Sequence, residues 1–384
     1  MRPLPRLSFC LALLAAMLPA AILPAARAAE PFKYPEAKHG KGELKYIDGL
    51  PVLCVAGTPE EIGEQIGVLA LKPAAAVPKL AEEFFKANQW EIFYALTVKT
   101  GGAMLEQMPT AQKQELAAAT KASGWPRDLL VFANTVADIR KIAGCSTLFV
   151  EGTRSATGGP LFGRNFDWPP FGAIDEYTLV TVYRPKGKRA FVSVGYPGVL
   201  GCVSGMNDAG LALADLTVRS SRDESPALDP TGMPSTFALR RVMEECASVE
   251  DAEKILKSLK RSIMQNVAIG DKQRAVVFEI TTKTIVTRPA TDGLCLCTNH
   301  FRSEELSTWK ECERYATLEK SRDLKQFSVA DVAQQMDAVS QGSRTLQTMV
   351  FEPATLTLHV AFGKGPATKL PLKTLECGKL FLQN

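Results

Sequence analysis

Two short stretches carry the residues best suited to chemistry: Gly144-Cys145-Ser146-Thr147 and Gly163-Arg164-Asn165-Phe166-Asp167-Trp168. A cysteine that begins a strand and follows a glycine becomes a self-sufficient catalyst once the peptide bond before it is cut. The freed α-amine can then take the proton of its own thiol. An α-amine titrates at about 7.7–8.0 and a free thiol at about 8.5, so that transfer is nearly balanced at neutral pH without any histidine. Arg164 would lower the thiol pKa by its charge, and Asp167 would hold the new ammonium. The same residues also fit a plainer arrangement, a buried cysteine on a core strand beside an Arg–Asp surface pair.

The histidines narrow the choice. His39, His300 and His359 are the three in the chain. None sits in an elbow or nucleophile motif, and no G-x-S-x-G occurs, which argues against Ser-His-Asp and Cys-His chemistry. Cys295-Leu296-Cys297-Thr298-Asn299-His300 is the sharpest metal candidate, but its spacing is not that of a zinc site and no second ligand pair accompanies it. On a strand Cys295 and Cys297 point to one face, so they read as buried cysteines. No metal or cofactor is called for.

Stepping outward, the texture of the chain changes at Cys145. Before it, an extended stretch gives way to helical spacing, with Thr58, Pro59 and Glu61 forming a capping box at a helix start and apolar periodicity over 72–87, 89–98, 110–122 and 126–142. After it come β-rich runs over 145–151, 160–165, 177–183, 190–194, 201–206 and 211–218, separated by Gly, Pro, Asn and Asp turns. Helices are predicted over 235–247 and 249–259, the second capped by Ser248, then strands over 266–269, 275–280 and 294–298. A helical pair over 302–320 and 328–336 and a hairpin over 345–351 and 355–361 complete the chain. Strands, helices, then strands again predict a layered α+β domain.

Composition sets the outer bounds. At 46% apolar and 22% charged, the 384 residues can build a large core, which excludes a disordered or collagen-like chain. Lys and Arg total 45 against 41 acids, and they are scattered, so a nucleic-acid partner is not expected. Residues 1–28 read as a secretory signal peptide: Arg2 and Arg6, an apolar run, then Ala26-Arg27-Ala28. No later run spans a membrane, and the expected location is secreted or periplasmic. Eight cysteines follow the leader; some could pair in an oxidising compartment, with no connectivity legible.

The GCST and GRNFDW pair resembles the N-terminal-nucleophile hydrolases of the choloylglycine hydrolase and acyl-coenzyme A:6-aminopenicillanic acid acyltransferase group. Four further segments extend the resemblance over nearly the whole mature chain. Gly57 to Gly67 (GTPEEIGEQIG) is similar to an early family signature, with Ile66 where a histidine usually stands. Gly205-Met206-Asn207-Asp208-Ala209-Gly210-Leu211 is similar to its MN-x-x-GL turn, Thr298-Asn299-His300-Phe301 to its TNHF segment, and 345–361 to its closing hairpin.

The resemblance implies an αββα sandwich of two antiparallel sheets flanked by helices. It implies autoproteolysis between Gly144 and Cys145, giving a mainly helical pro-segment over 29–144 (the α chain) and a catalytic domain over 145–384 (the β chain), which stay associated. Carried over by motif, Cys145 is the nucleophile, Arg164 and Asp167 support it, and Asn299 contributes to the oxyanion hole. Bile-salt hydrolases place a second oxyanion Asn where this chain has Thr217, with Asp215 nearby, and use a later Arg for which Arg344 is the nearest candidate. With Asn207, these are the secondary site candidates. The long pro-segment favours the acyltransferase-like branch, with the lysosomal ceramidase and N-acylethanolamine amidase group as a neighbour. The expected activity is hydrolysis of a small-molecule N-acyl amide through a thioester on Cys145. The alternatives are an acyltransferase that passes the acyl group to an amine, and an unprocessed, catalytically silent binding protein. Trp168, Pro169, Pro170 and Phe171 could wall an apolar acyl pocket or pack in the core.

Overall fold

The computed structural model describes residues 32–141, 143–169 and 174–383. The leader expected over 1–28, together with Pro170 and Phe171 of the acyl wall, lies outside them. From Lys33 onward the chain is one compact unit. The extended stretch before the helices becomes β1 (Ala37–His39), β2 (Gly42–Ile47) and β3 (Leu50–Gly57), followed by α1 (Pro59–Ile66), α2 (Val77–Ala87), α3 (Glu91–Leu105), α4 (Thr110–Ser123) and α5 (Arg127–Arg140). Thr58 and Glu61 close the expected capping box on α1. The helix predicted to start at 72 starts at Val77 instead, after a π-helical turn over Gly67–Leu71, with Pro78 in its first turn. There the missing N–H of proline costs nothing.

Three residues separate the end of α5 from the strands that follow: β4 (Gly144–Val150), β5 (Leu161–Asp167), β6 (Leu179–Pro185), β7 (Phe191–Gly195), β8 (Ser204–Asn207) and β9 (Ala212–Thr217). Next come α6 (Ser235–Glu245), α7 (Val249–Ser258), β10 (Gln265–Gly270), β11 (Ala275–Ile280), β12 (Ile285–Pro289) and β13 (Leu294–Cys297). The chain continues through α8 (Glu313–Glu319), α9 (Val329–Ala338), β14 (Thr345–Glu352), β15 (Thr357–Phe362), β16 (Lys373–Glu376) and α10 (Cys377–Phe381). One sheet has the order β1-β2-β3-β6-β7-β8-β9-β10-β11-β12 and the other β13-β4-β5-β14-β15-β16. All pairings are antiparallel except β3 with β6, which joins the segment before residue 144 to the strands after it.

The sheets face each other. Cys145, Phe149, Phe162, Phe166 and Met349 from the six-stranded sheet share one core cluster with Val180, Val192, Met206, Ala214 and Val277 from the ten-stranded sheet. On the outer face of the smaller sheet, Leu148, Leu161 and Leu296 pack against Tyr315 and Leu318 of α8 and Val332 and Met336 of α9. Over the larger sheet, the buried Arg240 of α6 lies above the rings of Tyr183 and Phe191 and is paired with Glu115 of α4 and Glu244. The architecture is an αββα sandwich. No helix of the described residues is long and apolar enough to cross a membrane.

The helix predicted over 302–320 is corrected: it forms only over Glu313–Glu319. Upstream, the fully buried Glu279 carboxylate of β11 accepts the backbone N–H groups of Arg302 and Ser303, and Leu306 is buried against Phe301 and Met264. These long-range contacts outweigh helix propensity, which is a weak term.

Candidate active site

Strand register sets the site. On the β4–β5 ladder Gly144 pairs with Asp167, Cys145 with Phe166 and Thr147 with Arg164. Side chains alternate along a strand, so Cys145 and Arg164 share the face directed between the sheets, whereas Asp167 projects from the other face, beside Gly144. The Gly144–Cys145 peptide therefore has the arginine on one side and the aspartate on the other. Arg164 is fully buried, and its Nε donates to Ser204 Oγ of the facing sheet at 3.2 Å. Asp167, also fully buried, accepts from Thr345 Oγ1 at 2.6 Å and Gln341 Nε2 at 2.7 Å. Burial raises its pKa against those two hydrogen bonds and the charges of Arg314 and Arg164.

Asn299, 154 positions away in sequence, closes over this peptide. Its Oδ1 accepts the Cys145 N–H at 2.7 Å and its Nδ2 donates to the Thr217 carbonyl at 3.0 Å. Arg314 is the residue that sequence reasoning missed. Its Nη1 donates to the Cys145 carbonyl at 2.5 Å and to Ser146 Oγ at 3.1 Å, its Nη2 donates to Asn299 Oδ1 at 3.0 Å, and Nη1 stands 3.9 Å from Asp167. A Cβ at Gly144 would sit 2.1 Å from Gln341 Nε2, so a side chain there would displace the amide that holds Asp167.

The thiol is nearly inaccessible, at 1% exposure. Burial pushes its pKa up to about 11; Arg164 pulls it down, while Asp167 and Asp215 push it further up. Arg164 thus lowers the thiol pKa as expected, but in the intact chain desolvation outweighs its charge. The secondary candidates divide. Thr217 lies within β9 and anchors Asn299 through its carbonyl. Arg344 accepts the Trp168 N–H on its carbonyl and lines a cavity beside Gly144. Asn207 is corrected to a structural role: its Nδ2 donates to the Met243 and Cys246 carbonyls and its Oδ1 accepts from Ala209 and Leu211 N–H. That amide ties the β8–β9 turn to α6, and the residue lines neither cavity at the Gly144–Cys145 peptide.

Two cavities meet at this peptide. One, of about 180 Å³, is chiefly apolar and is lined by Cys145, Phe166 and Trp168 with Phe84, Phe132 and Val136 from the helices before residue 144. Phe166 and Trp168 stack at 5.8 Å; of the residues expected to wall an acyl pocket, Trp168 lines this cavity and also packs in the core cluster. The other, of about 290 Å³, is lined by Gly144, Asn299, His300, Arg219, Arg314 and Arg344. His39 and His359 are engaged with Glu64 and Glu352. The eight cysteines of the described residues are free thiols, with Cys295 and Cys297 buried as expected. Half-buried Cys312 differs from the rest. Burial pushes its pKa up, but hydrogen bonds from His300, Tyr315 N–H and Thr298, with the charge of Arg314, bring it down to about 6.

An αββα sandwich with a cysteine at the head of an inner strand is the architecture of an N-terminal-nucleophile hydrolase. Within that class, the acyl-coenzyme A:6-aminopenicillanic acid acyl-transferase family model matches residues 154–366, and the chain belongs to that family. The match contains Arg164, Asp167 and Asn299 and begins downstream of Cys145. The chain is 26% identical over 267 residues to the 40 kDa form of acyl-coenzyme A:6-aminopenicillanic-acid-acyltransferase from Emericella nidulans, covering 65% of this chain and 69% of that protein. It is also 26% identical over 157 residues to an uncharacterized protein from Archaeoglobus fulgidus, covering 39% of this chain and a quarter (25%) of that protein's length. A structure of the Caenorhabditis elegans ortholog of N-acylethanolamine-hydrolyzing acid amidase superposes with a TM-score of 0.45 at 13% identity, covering 60% of this chain and 100% of that one.

Proposed function

We propose that the protein is an exported, self-processing cysteine amidase that cleaves N-acyl amines through a thioester on Cys145. The observation that carries this is the placement of one peptide: Cys145 opens an inner strand with its thiol on the apolar cavity, the bond before it gives its N–H to Asn299 and pairs at Gly144 with Asp167, and Arg314 holds the next carbonyl, that of Cys145. In processing, the Cys145 sulfur attacks the Gly144 carbonyl carbon and the C–N bond breaks. Water then hydrolyses the thioester to a Gly144 carboxylate and a free Cys145 amine. In turnover, that amine accepts the thiol proton, the sulfur takes the acyl group, and the proton leaves with the departing amine; water, deprotonated by the same amine, then attacks the thioester, the C–S bond breaks, the acid leaves and the proton returns to the thiol. The second Nδ2–H of Asn299 is the donor for the oxyanion.

The two cavities support a division of the substrate, with an apolar acyl group against Phe132 and Trp168 and an amine half facing Arg219, Arg314 and Arg344. Arginine forks suit carboxylate, sulfonate or phosphate on the amine half. The cut halves remain associated through the β3–β6 pairing and the buried Arg240–Glu115 pair. Acyl transfer to a second amine is the companion reading, favoured by the 26% identity to the Emericella acyltransferase. The test incubates the mature protein with N-acyl amino acids and traps the acyl adduct by mass spectrometry. An acyl mass on the Cys145 peptide is expected; turnover with no adduct on that peptide, or none lost on Cys145→Ser, refutes the reading. An added amine acceptor that diverts product from free acid to new amide identifies the transferase.

A further inference from the structure

The apolar cavity contains one carboxyl group among its described lining residues, Asp215 of β9. It is 5% exposed, and its Oδ1 has no hydrogen-bond partner among the described residues. An unpartnered buried carboxyl is costly, so such a group at a ligand cavity is best explained by a ligand that satisfies it. The opposite charge that acts on it is Arg164, which also has unpartnered buried atoms, Nη1 and Nη2. The two interact electrostatically without forming an ion pair. Burial raises the Asp215 carboxyl to about 7, with Arg164 pulling it down and Asp138 pushing it up.

We infer that Asp215 is a specificity-determining residue that receives a hydroxyl carried by the acyl chain of the substrate, so that the preferred substrates are hydroxyacyl amides and not plain acyl amides. A hydroxyl fits better than an ammonium, because Arg164 already supplies a buried positive charge that acts on Asp215. It also both donates and accepts, and so can meet the carboxyl in either protonation state. The aliphatic and aromatic remainder of the lining then takes the rest of the chain. Sites that hydrogen-bond a substrate hydroxyl discriminate strongly against the analogue lacking it, since the buried group is left unpaired.

This inference rests on the amidase reading for its substrates, so the test has an arm that does not need turnover. Amides of a single aminobenzoate leaving group are prepared with an unsubstituted chain and with a hydroxyl at each position of that chain, and kcat/KM is measured on the mature enzyme. The corresponding free acids are titrated by calorimetry. At one hydroxyl position, a gain of about ten- to hundred-fold over the unsubstituted compound is expected in both arms. The ratio is expected to fall to about one in Asp215→Leu and in Asp215→Ala, the smaller variant guarding against a packing failure. No gain at any position in the wild type, or a gain that survives in both variants, overturns the inference. A preference among the acids with no hydrolysis of any amide leaves the hydroxyl site standing and refutes the amidase; hydrolysis without preference does the reverse.

Discussion

Removing the Arg314 guanidinium should slow self-processing far more than it destabilises the fold. In Arg314→Ala the Cys145 carbonyl and Ser146 Oγ lose donors at 2.5 and 3.1 Å, and Asn299 Oδ1 loses one at 3.0 Å. Asn299 keeps the Cys145 N–H at 2.7 Å, and Asp167 keeps Thr345 and Gln341, so the peptide is loosened but not released. A hydrogen bond to a charged group contributes about 1.5–3 kcal/mol. Counting the loss as roughly one such bond gives about 2–3 kcal/mol on the processing barrier, or about 30- to 150-fold in rate. The pairing with Asp167 is long, at 3.9 Å, and the arginine side chain is 23% exposed, so the stability loss should stay near 1 kcal/mol. Pulse expression followed by mass spectrometry gives the rate at which the chain beginning at Cys145 appears, and thermal melting gives the stability. Arg314→Lys restores the charge without the fork and should fall between. Processing at the wild-type rate in Arg314→Ala, or slowing that merely follows a collapse in Tm, would refute the reasoning.

Other changes test separate parts of the site. Gly144→Ala places a methyl 2.1 Å from Gln341 Nε2 and should slow cleavage about ten- to hundred-fold by displacing the amide from Asp167; Gly144→Ala/Gln341→Ala, with the obstruction removed, should process no more slowly than Gln341→Ala alone, as read by the same mass assay. In chains caught before cleavage, Cys312, with its pKa near 6, should be the first thiol alkylated at pH 7. Cys145, held neutral below its pKa of about 11, should label several hundred-fold more slowly at pH 8 than an ordinary thiol and gain rate as pH rises toward 11; peptide mapping after iodoacetamide pulses reports both. Glu115→Ala leaves the buried Arg240 without its bidentate partner and should cost about 3–5 kcal/mol, measured by denaturant unfolding.

The site was legible in sequence to the extent that its residues sit in short motifs. Cys145, Arg164, Asp167 and Asn299 lie in GCST, GRNFDW and TNHF, and the structure gathers all four around the Gly144–Cys145 peptide. Arg314 escaped because it belongs to no motif and the helix predicted over 302–320 left it as one basic residue on a helical surface. The non-helical course of the chain before it goes with Glu279 holding the backbone of Arg302 and Ser303, a contact no local pattern announces. Similarly, the extended texture before Thr58 was visible, but the parallel pairing of β3 with β6 joins segments more than 120 positions apart. Asn207 shows the opposite case, a motif residue whose side-chain hydrogen bonds serve the β8–β9 turn and its tie to α6.

The most direct test of Cys145 as a self-liberated nucleophile is the intact mass and N-terminal sequence of the purified, active protein alongside Cys145→Ala. Two chains are expected for the wild type, one of them running from Cys145 to Asn384, and a single uncut chain for the variant. An active wild type that remains one continuous chain, or a Cys145→Ala protein cut at the same bond, would contradict it.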